Sequence, residues 1–310
     1  MKGPLRTQIL TLTFATFFIV CAYLVLRPSD LRAGDAGGAY QLVQDWVQLP
    51  PGAQWGVMSA VGIDSKGNIY GFQREDVSKV IVFDVQGKYL KTWGEGQFEY
   101  PHGLRVSRDD SVWLTDRKMQ QVFKFDANGT LLMTLGKKDV AGSNDSPDTF
   151  NGASDVVVGP NGDIFVSDGE GANTRVVKFS SDGKFIKSWG TKGSGPGEMS
   201  GPHCIAMDSK GRIWVGDRGN KRLQIFDQDG KYIDQMSQFG TPAGIFITKD
   251  DFVYVAEPAP ENQVVIGTTG GQILDRIAGL DSAHGIAVDS NGAIYVAESS
   301  GKNILKFVKH

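Results

Sequence analysis

The chain is 310 residues long and nearly balanced in charge, with 32 Lys and Arg against 35 Asp and Glu and a formal net charge of −3, which excludes a general attraction to nucleic acid. Its two cysteines are Cys21, in an N-terminal apolar stretch, and Cys204, alone among the repeats, which excludes a disulfide inside the folded part. Length alone admits two domains, but an unbroken repeat leaves one.

Lys2 and Arg6 precede an apolar run over residues 9–26, 18 residues and just enough to span a bilayer. Positive charge ahead of it favours a cytoplasmic N-terminus and an exported remainder, although Arg27 and Arg32 reduce the asymmetry. Around Ala33 and Ala36 there is no clean cleavage motif, and Cys21 lacks a lipobox. Residues 1–39 are therefore expected to be a signal or anchor segment ending in a short Gly/Ala-rich tether. The expectation is an uncleaved membrane anchor, with secretion after cleavage as the alternative. Residues 40–310 are expected to form one monomeric domain in the periplasm or outside the cell.

From residue 40 onward the chain repeats itself. Each copy reads apolar strand, Asp/Ser-x-Gly turn, aromatic-bearing strand, loop, strand, Asp-x-x-Gly-Lys-like turn and a last strand. The aromatic falls at Tyr70, Trp113, Phe165, Trp214, Tyr254 and Tyr295, with spacings of 43, 52, 49, 40 and 41. Period-2 alternation through Val122, Phe123, Lys124 and Phe125, then the turn Asp126-Ala127-Asn128-Gly129, then Leu131 to Leu135, is a hairpin signal. Four strands per copy at this period predict an all-β, six-bladed β-propeller. The last copy stops one strand short at Phe307-Val308-Lys309, while residues 40–49 alternate without a copy of their own. That N-terminal strand is predicted to complete the sixth blade and close the ring, which removes open sheet edges.

Eleven residues before the aromatic stand His102, His203 and His284, in every second copy; the other copies hold Ser59, Ser154 and Ala243 there. Alternate blades of six lie a third of a turn apart, and the position begins the innermost strand. Three imidazoles are thus predicted to converge on the axis as ligands of one metal ion. Zn²⁺ suits three neutral imidazoles best, with copper, nickel or iron admitted by ligand type. Three protein ligands leave a fourth position open, the pattern of a catalytic site. The alternative is three channel-lining polar residues bonded to water.

The loop joining second and third strands returns to the histidine level. Four residues after the aromatic, these loops hold Arg74, Arg117, Gly169, Arg218, Pro258 and Ser299. Three arginines around one mouth suit an anion, and the guanidinium fork suits a carboxylate or phosphate. Alternatively each pairs with a preceding Asp, such as Asp116 or Asp217, and braces its loop; Arg74 has no such neighbour.

The stretches Tyr100-Pro101-His102-Gly103-Leu104, Val166-Ser167-Asp168-Gly169, Gly201-Pro202-His203 and Asp217-Arg218-Gly219-Asn220 resemble the lyase domain of peptidylglycine alpha-amidating enzymes. The resemblance runs from about Val57 to the C-terminus, within the broader NHL-repeat propellers, to which Gly193-Ser194-Gly195-Pro196-Gly197 is also similar. It implies zinc on the three histidines and cleavage of a peptidyl-α-hydroxyglycine into a peptide amide and glyoxylate. The family's two functional arginines match Arg74 and Arg218. The metal would polarise the substrate hydroxyl while the arginines hold the carboxylate. The substrate is accordingly expected to be a peptide or small molecule ending in a carboxylate.

Three features depart from that family. Its catalytic tyrosine, after the Ser-Asp-Gly of the third blade, is replaced by Glu170, in a loop one residue longer. A carboxylate there can act as the base or be a solvated loop residue. The carboxylate after the third histidine is replaced by Gly285, so the family's calcium loses a ligand, and its loop-stapling cysteines are missing. Cys204 is expected to face away from the channel as a buried thiol. Residues 137–152, rich in Asp, Ser, Asn and Gly, are expected to form a surface loop, with a flap as the alternative. Besides the lyase, the sequence admits a zinc hydrolase with Glu170 as general base, or a non-catalytic extracellular scaffold clamped by an axial ion.

Overall fold

A computed structural model describes Met1, Gly3, residues 38–75 and residues 77–310. The expectations for residues 9–26 and 33–37 lie outside the described residues. Among the described residues no helix is long and apolar enough to cross a membrane.

Hydrophobic runs punctuated by Gly-bearing turns give six four-stranded antiparallel sheets, the blades of a propeller. The first five occupy residues 58–93, 101–136, 153–189, 202–236 and 244–278, each with its strands in sequence order. The sixth takes residues 283–309 and adds Tyr40–Leu42 at its outer edge, in register from Tyr40 against Lys309 to Leu42 against Phe307. The ring therefore closes through both ends of the domain. Innermost strands of neighbouring blades pack against one another all the way round.

The alternating faces of each blade fill the clefts between blades. Six apolar clusters result, one in each cleft; the cleft between second and third blades, for example, is filled by Trp113, Val122, Phe150, Val156, Val166 and Val177. The predicted strand over residues 40–49 continues only to Leu42, and Gln48 then forms an isolated parallel bridge with Lys88. Asp45 adopts a left-handed conformation, φ 49°, that breaks the extended run, and Trp46 then enters the cleft between sixth and first blades. There its indole N–H donates to the Ile304 carbonyl at 3.0 Å. A further feature is a short parallel pair, Thr191–Lys192 with Glu198–Met199, around the Gly-rich phrase of the third-to-fourth connection.

Residues 137–152 form the expected surface loop, largely exposed through residue 148 and anchored to the core at its end. Phe150 is buried in the core, and the buried Arg175 donates to the carbonyls of Asn144, Ser146 and Thr149 at 2.8, 2.7 and 2.7 Å. Cys204 lies buried in the cleft cluster of the fourth and fifth blades, as a small apolar residue would.

Candidate active site

Each histidine is the second residue of an innermost strand, in Pro101–Val106, Pro202–Met207 and Ala283–Val288. At that residue the ladder slips. Pro101 pairs with Asp116 but Leu104 with Leu114; Pro202 pairs with Asp217 but Cys204 with Gly216; Ala283 pairs with Glu298 but Gly285 with Ala297. A bulge re-aims a side chain that regular alternation would have placed elsewhere. Glycine next to the histidine then lets the neighbouring inner strand approach. A Cβ on Gly103 would stand 2.6 Å from the Ser154 carbonyl oxygen, and one on Gly285 2.5 Å from the Ala60 Cα, so no side chain fits at Gly285 without moving the backbone. Carboxylates ending the second strands fix the approach: Asp116 accepts from the backbone N–H of Glu99 and Tyr100 at 2.7 and 2.9 Å, and Asp217 from that of Ser200 at 2.7 Å.

The three rings form a nearly equilateral triangle, with centroids 4.7, 4.9 and 5.0 Å apart. Their second nitrogens meet the carbonyls of the intervening blades: His102 Nδ1 to Ser154 at 2.8 Å, His203 Nδ1 to Ala243 at 2.7 Å, His284 Nδ1 to Ser59 at 2.7 Å. A carbonyl only accepts, so each Nδ1 carries a proton and each ring is left with its Nε2 for other partners. Burial, followed by repulsion from His102, holds His203 and His284 well below the ordinary histidine range and so keeps them neutral.

These residues fit a metal ion. One potential ligand atom from each ring lies within 4.8 Å of the other two. His203 Nε2 is buried without a hydrogen-bond partner, a costly state for a polar atom. The axial void that the histidines line together with Ser59, Leu104, Arg105, Ser154 and Asp155 is about 20 Å³, room for one small ion or water. Hydrogen-bonded Nδ1 atoms supply the orientation that metal-binding imidazoles commonly receive.

The rim loops bring the predicted arginines and Glu170 to this centre. Glu170 reaches to 3.7 Å from His102 Nε2 and 3.5 Å from His203 Nε2. Its other neighbours are Arg117 at 3.0 Å and Arg218 at 3.7 Å. Burial would raise its carboxyl, but His102 and the Arg218 guanidinium outweigh burial and hold it below the ordinary carboxylate range. Arg74 lies under the same rim, its Nε donating to the Pro101 carbonyl at 2.8 Å and its guanidinium 4.4 Å above the Tyr100 ring. One terminal nitrogen of Arg74 is buried and unpartnered. Burial lowers this arginine below its ordinary value, with Tyr100 and Glu170 opposing.

The bracing alternative for the arginines is not what the structure shows. Asp217 pairs with Arg222 rather than Arg218, and Asp116 serves backbone N–H groups rather than Arg117. Arg218 itself sits on a one-turn 3-10 helix, Arg218–Asn220. One contributor was not given a role from sequence, and another was seen only as a rim arginine. Tyr100 is a platform for both Arg74 and Arg117, whose guanidinium is 5.3 Å from its ring; only its place two residues before His102 hinted at the rim. Arg117 holds Glu170, and its place in the same loop position as Arg74 and Arg218 was the available signal. Beside them lies a pocket of about 360 Å³ lined by Tyr100, Arg117, Gln120, Gly152 and Glu170.

A family model described as NHL repeat matches residues 98–125, 199–226 and 280–307, the three segments that carry the histidines. NHL repeat-containing protein 3 of Mus musculus is 33% identical over 277 residues, covering 82% of this chain and 80% of that protein. A probable peptidyl-alpha-hydroxyglycine alpha-amidating lyase of Caenorhabditis elegans is 26% identical over 299 residues, covering 83% of each. Among solved structures, a streptogramin B lyase superposes with a TM-score of 0.60 at 17% identity, over 87% of this chain and 98% of that one, a likeness of fold alone.

Proposed function

The chain belongs to the NHL-repeat family that includes NHL repeat-containing protein 3, and from that premise we propose that it is a zinc-dependent lyase. The substrate proposed is a peptidyl-α-hydroxyglycine or a similar carbinolamide, split into an amide and glyoxylate. The observation that carries the reading is the triangle of His102, His203 and His284, with one potential ligand atom of each ring close to those of the other two under a rim of arginines. Relatives named as lyases of this substrate class support it.

His102, His203 and His284 would hold the zinc ion. Bound there, the ion would supply Lewis acidity toward the substrate hydroxyl. The unpartnered nitrogen of Arg74 and the half-exposed guanidinium of Arg218 bind the substrate carboxylate and orient the carbinol carbon. Glu170 takes the hydroxyl proton as the C–O bond gains double-bond character and the C–N bond breaks. The bonding pair leaves with nitrogen, which then receives the proton from Glu170, so one carboxyl serves as base and acid. Both products leave without a net proton change.

The test is glyoxylate release from a hydroxyglycine-terminated peptide by the zinc-loaded full chain. Arg74→Ala and Arg218→Ala are each expected to lower kcat/KM by about tenfold to a hundredfold, the worth of one hydrogen bond to a charged group. A folded, zinc-loaded chain that forms no glyoxylate contradicts the reading.

A hydrolase is the second reading, favoured by the carboxylate of Glu170 standing where the lyase family has a tyrosine. It expects ester or lactone hydrolysis that Glu170→Gln abolishes at saturating zinc. The charge pattern of the N-terminal segment adds the proposal that the domain works outside the cytoplasm, anchored or released.

A further inference from the structure

Glu170 is placed with more care than a proton acceptor on a solvated loop needs. The backbone N–H groups of Gly169 and Glu170 both donate to the Gly152 carbonyl, at 3.0 and 2.9 Å, and the N–H of Ala172 donates to Asn151 Oδ1 at 3.2 Å. Gly171 backs onto Asn151 so closely that a Cβ would lie 2.3 Å from its Oδ1. The loop is thus wedged in place, and the Glu170 side chain keeps 13% of its exposure.

The two carboxylate oxygens divide their neighbours evenly. Oε2 faces His102 Nε2 and Arg117, and Oε1 faces His203 Nε2 and Arg218. At 3.7 and 3.5 Å the imidazole contacts are too long for hydrogen bonds, and the buried His203 Nε2 has no hydrogen-bond partner. Donor atoms that share one zinc-sized ion, with bonds of about 2.0–2.1 Å in a tetrahedral array, stand roughly 3.3 Å apart. The spacing is that of co-ligands.

We propose that Glu170 is the fourth protein ligand of the ion held by the three histidines, so that the resting site is closed and an incoming substrate carboxylate must displace it from the arginines. Arg117 and Arg218 already engage the internal carboxylate, and Arg218 is also a donor that an external one would use. Free carboxylates therefore compete with Glu170, and the residue becomes available as a base only when the substrate has taken its place. This rests on the metal reading of the three histidines, but not on any activity of the protein.

Cobalt(II) is the probe, because its visible bands are intense when four-coordinate and weak when water expands the shell. The metal-free full chain is titrated with Co²⁺ as wild type, Glu170→Gln and Glu170→Ala, with circular dichroism as a check on folding. The expected result is intense bands in the wild type, at least about tenfold weaker binding in Glu170→Gln, and recovery of band intensity in Glu170→Ala on adding acetate. Equal affinity and an unchanged spectrum in both variants would overturn the inference and leave the three-histidine site standing. No cobalt bound by the wild type would overturn both.

Discussion

His203 concentrates the physics of the site in one side chain. Its ring is buried, its Nδ1 proton is committed to the Ala243 carbonyl, and its Nε2 has no hydrogen-bond partner; leaving such an atom unsatisfied costs about 1–3 kcal/mol. A bound ion offsets that cost. The same burial fixes a pH dependence in the metal-free protein. His203 and His284 stay neutral in the fold while their unfolded counterparts protonate below about 6.5. The unfolded state then binds more protons, so stability is full above that pH and falls as the pH drops below it. Thermal melts of the metal-free chain at pH 7.5 and 5 should show a lower Tm at pH 5; a Tm that is the same or higher at pH 5 counts against buried neutral imidazoles. At this scale the histidines were legible because their phase within the repeat is a side-chain pattern. Their orienting partners were not, because Ser59, Ser154 and Ala243 contribute backbone carbonyls that any residue could supply. Arg117 was visible as a rim arginine, but its grip on Glu170 depends on how the wedged loop folds back.

At the scale of elements, the third blade shows how the site is held. Asp168 ends its second strand, accepts from the Asn151 backbone N–H at 2.9 Å and pairs with the buried Arg175 at 2.9 Å. Burial raises the Asp168 carboxyl, with Asn173 and Arg175 opposing. Through Arg175 the pair also ties down the 137–152 loop, and through Asn151 it braces the segment that supports Glu170. Arg175→Ala would leave a buried carboxylate and three carbonyls without their partner, so a loss of about 3–5 kcal/mol is expected from denaturant unfolding. Limited proteolysis should then cut within residues 137–152; a variant as stable and as resistant as wild type would contradict this bracing. The composition of that loop concealed its role, since its anchor, Arg175, lies on a neighbouring strand and grips only backbone. The overlong reading of the first strand has a similar origin. Alternation through residue 49 satisfied the strand pattern, while the left-handed turn at Asp45 and the capture of Trp46 between two blades are tertiary effects.

For the molecule as a whole, the six-fold repeat and the three-fold histidine pattern are one fact seen twice. A site built from second, fourth and sixth blades exists only when the ring is closed, and closure depends on Tyr40–Leu42 pairing with the end of the chain. The blade count and the closing strand were legible because periodicity survives every local variation in loop length. An ion seated on alternate blades binds the folded ring and not the unfolded chain, so it should also raise the melting temperature. The measurement that tests the central claim most directly is elemental analysis of the purified full chain beside His203→Ala. The account predicts one zinc per wild-type chain and none in the variant; no metal in the wild type, or equal metal in both, would contradict it.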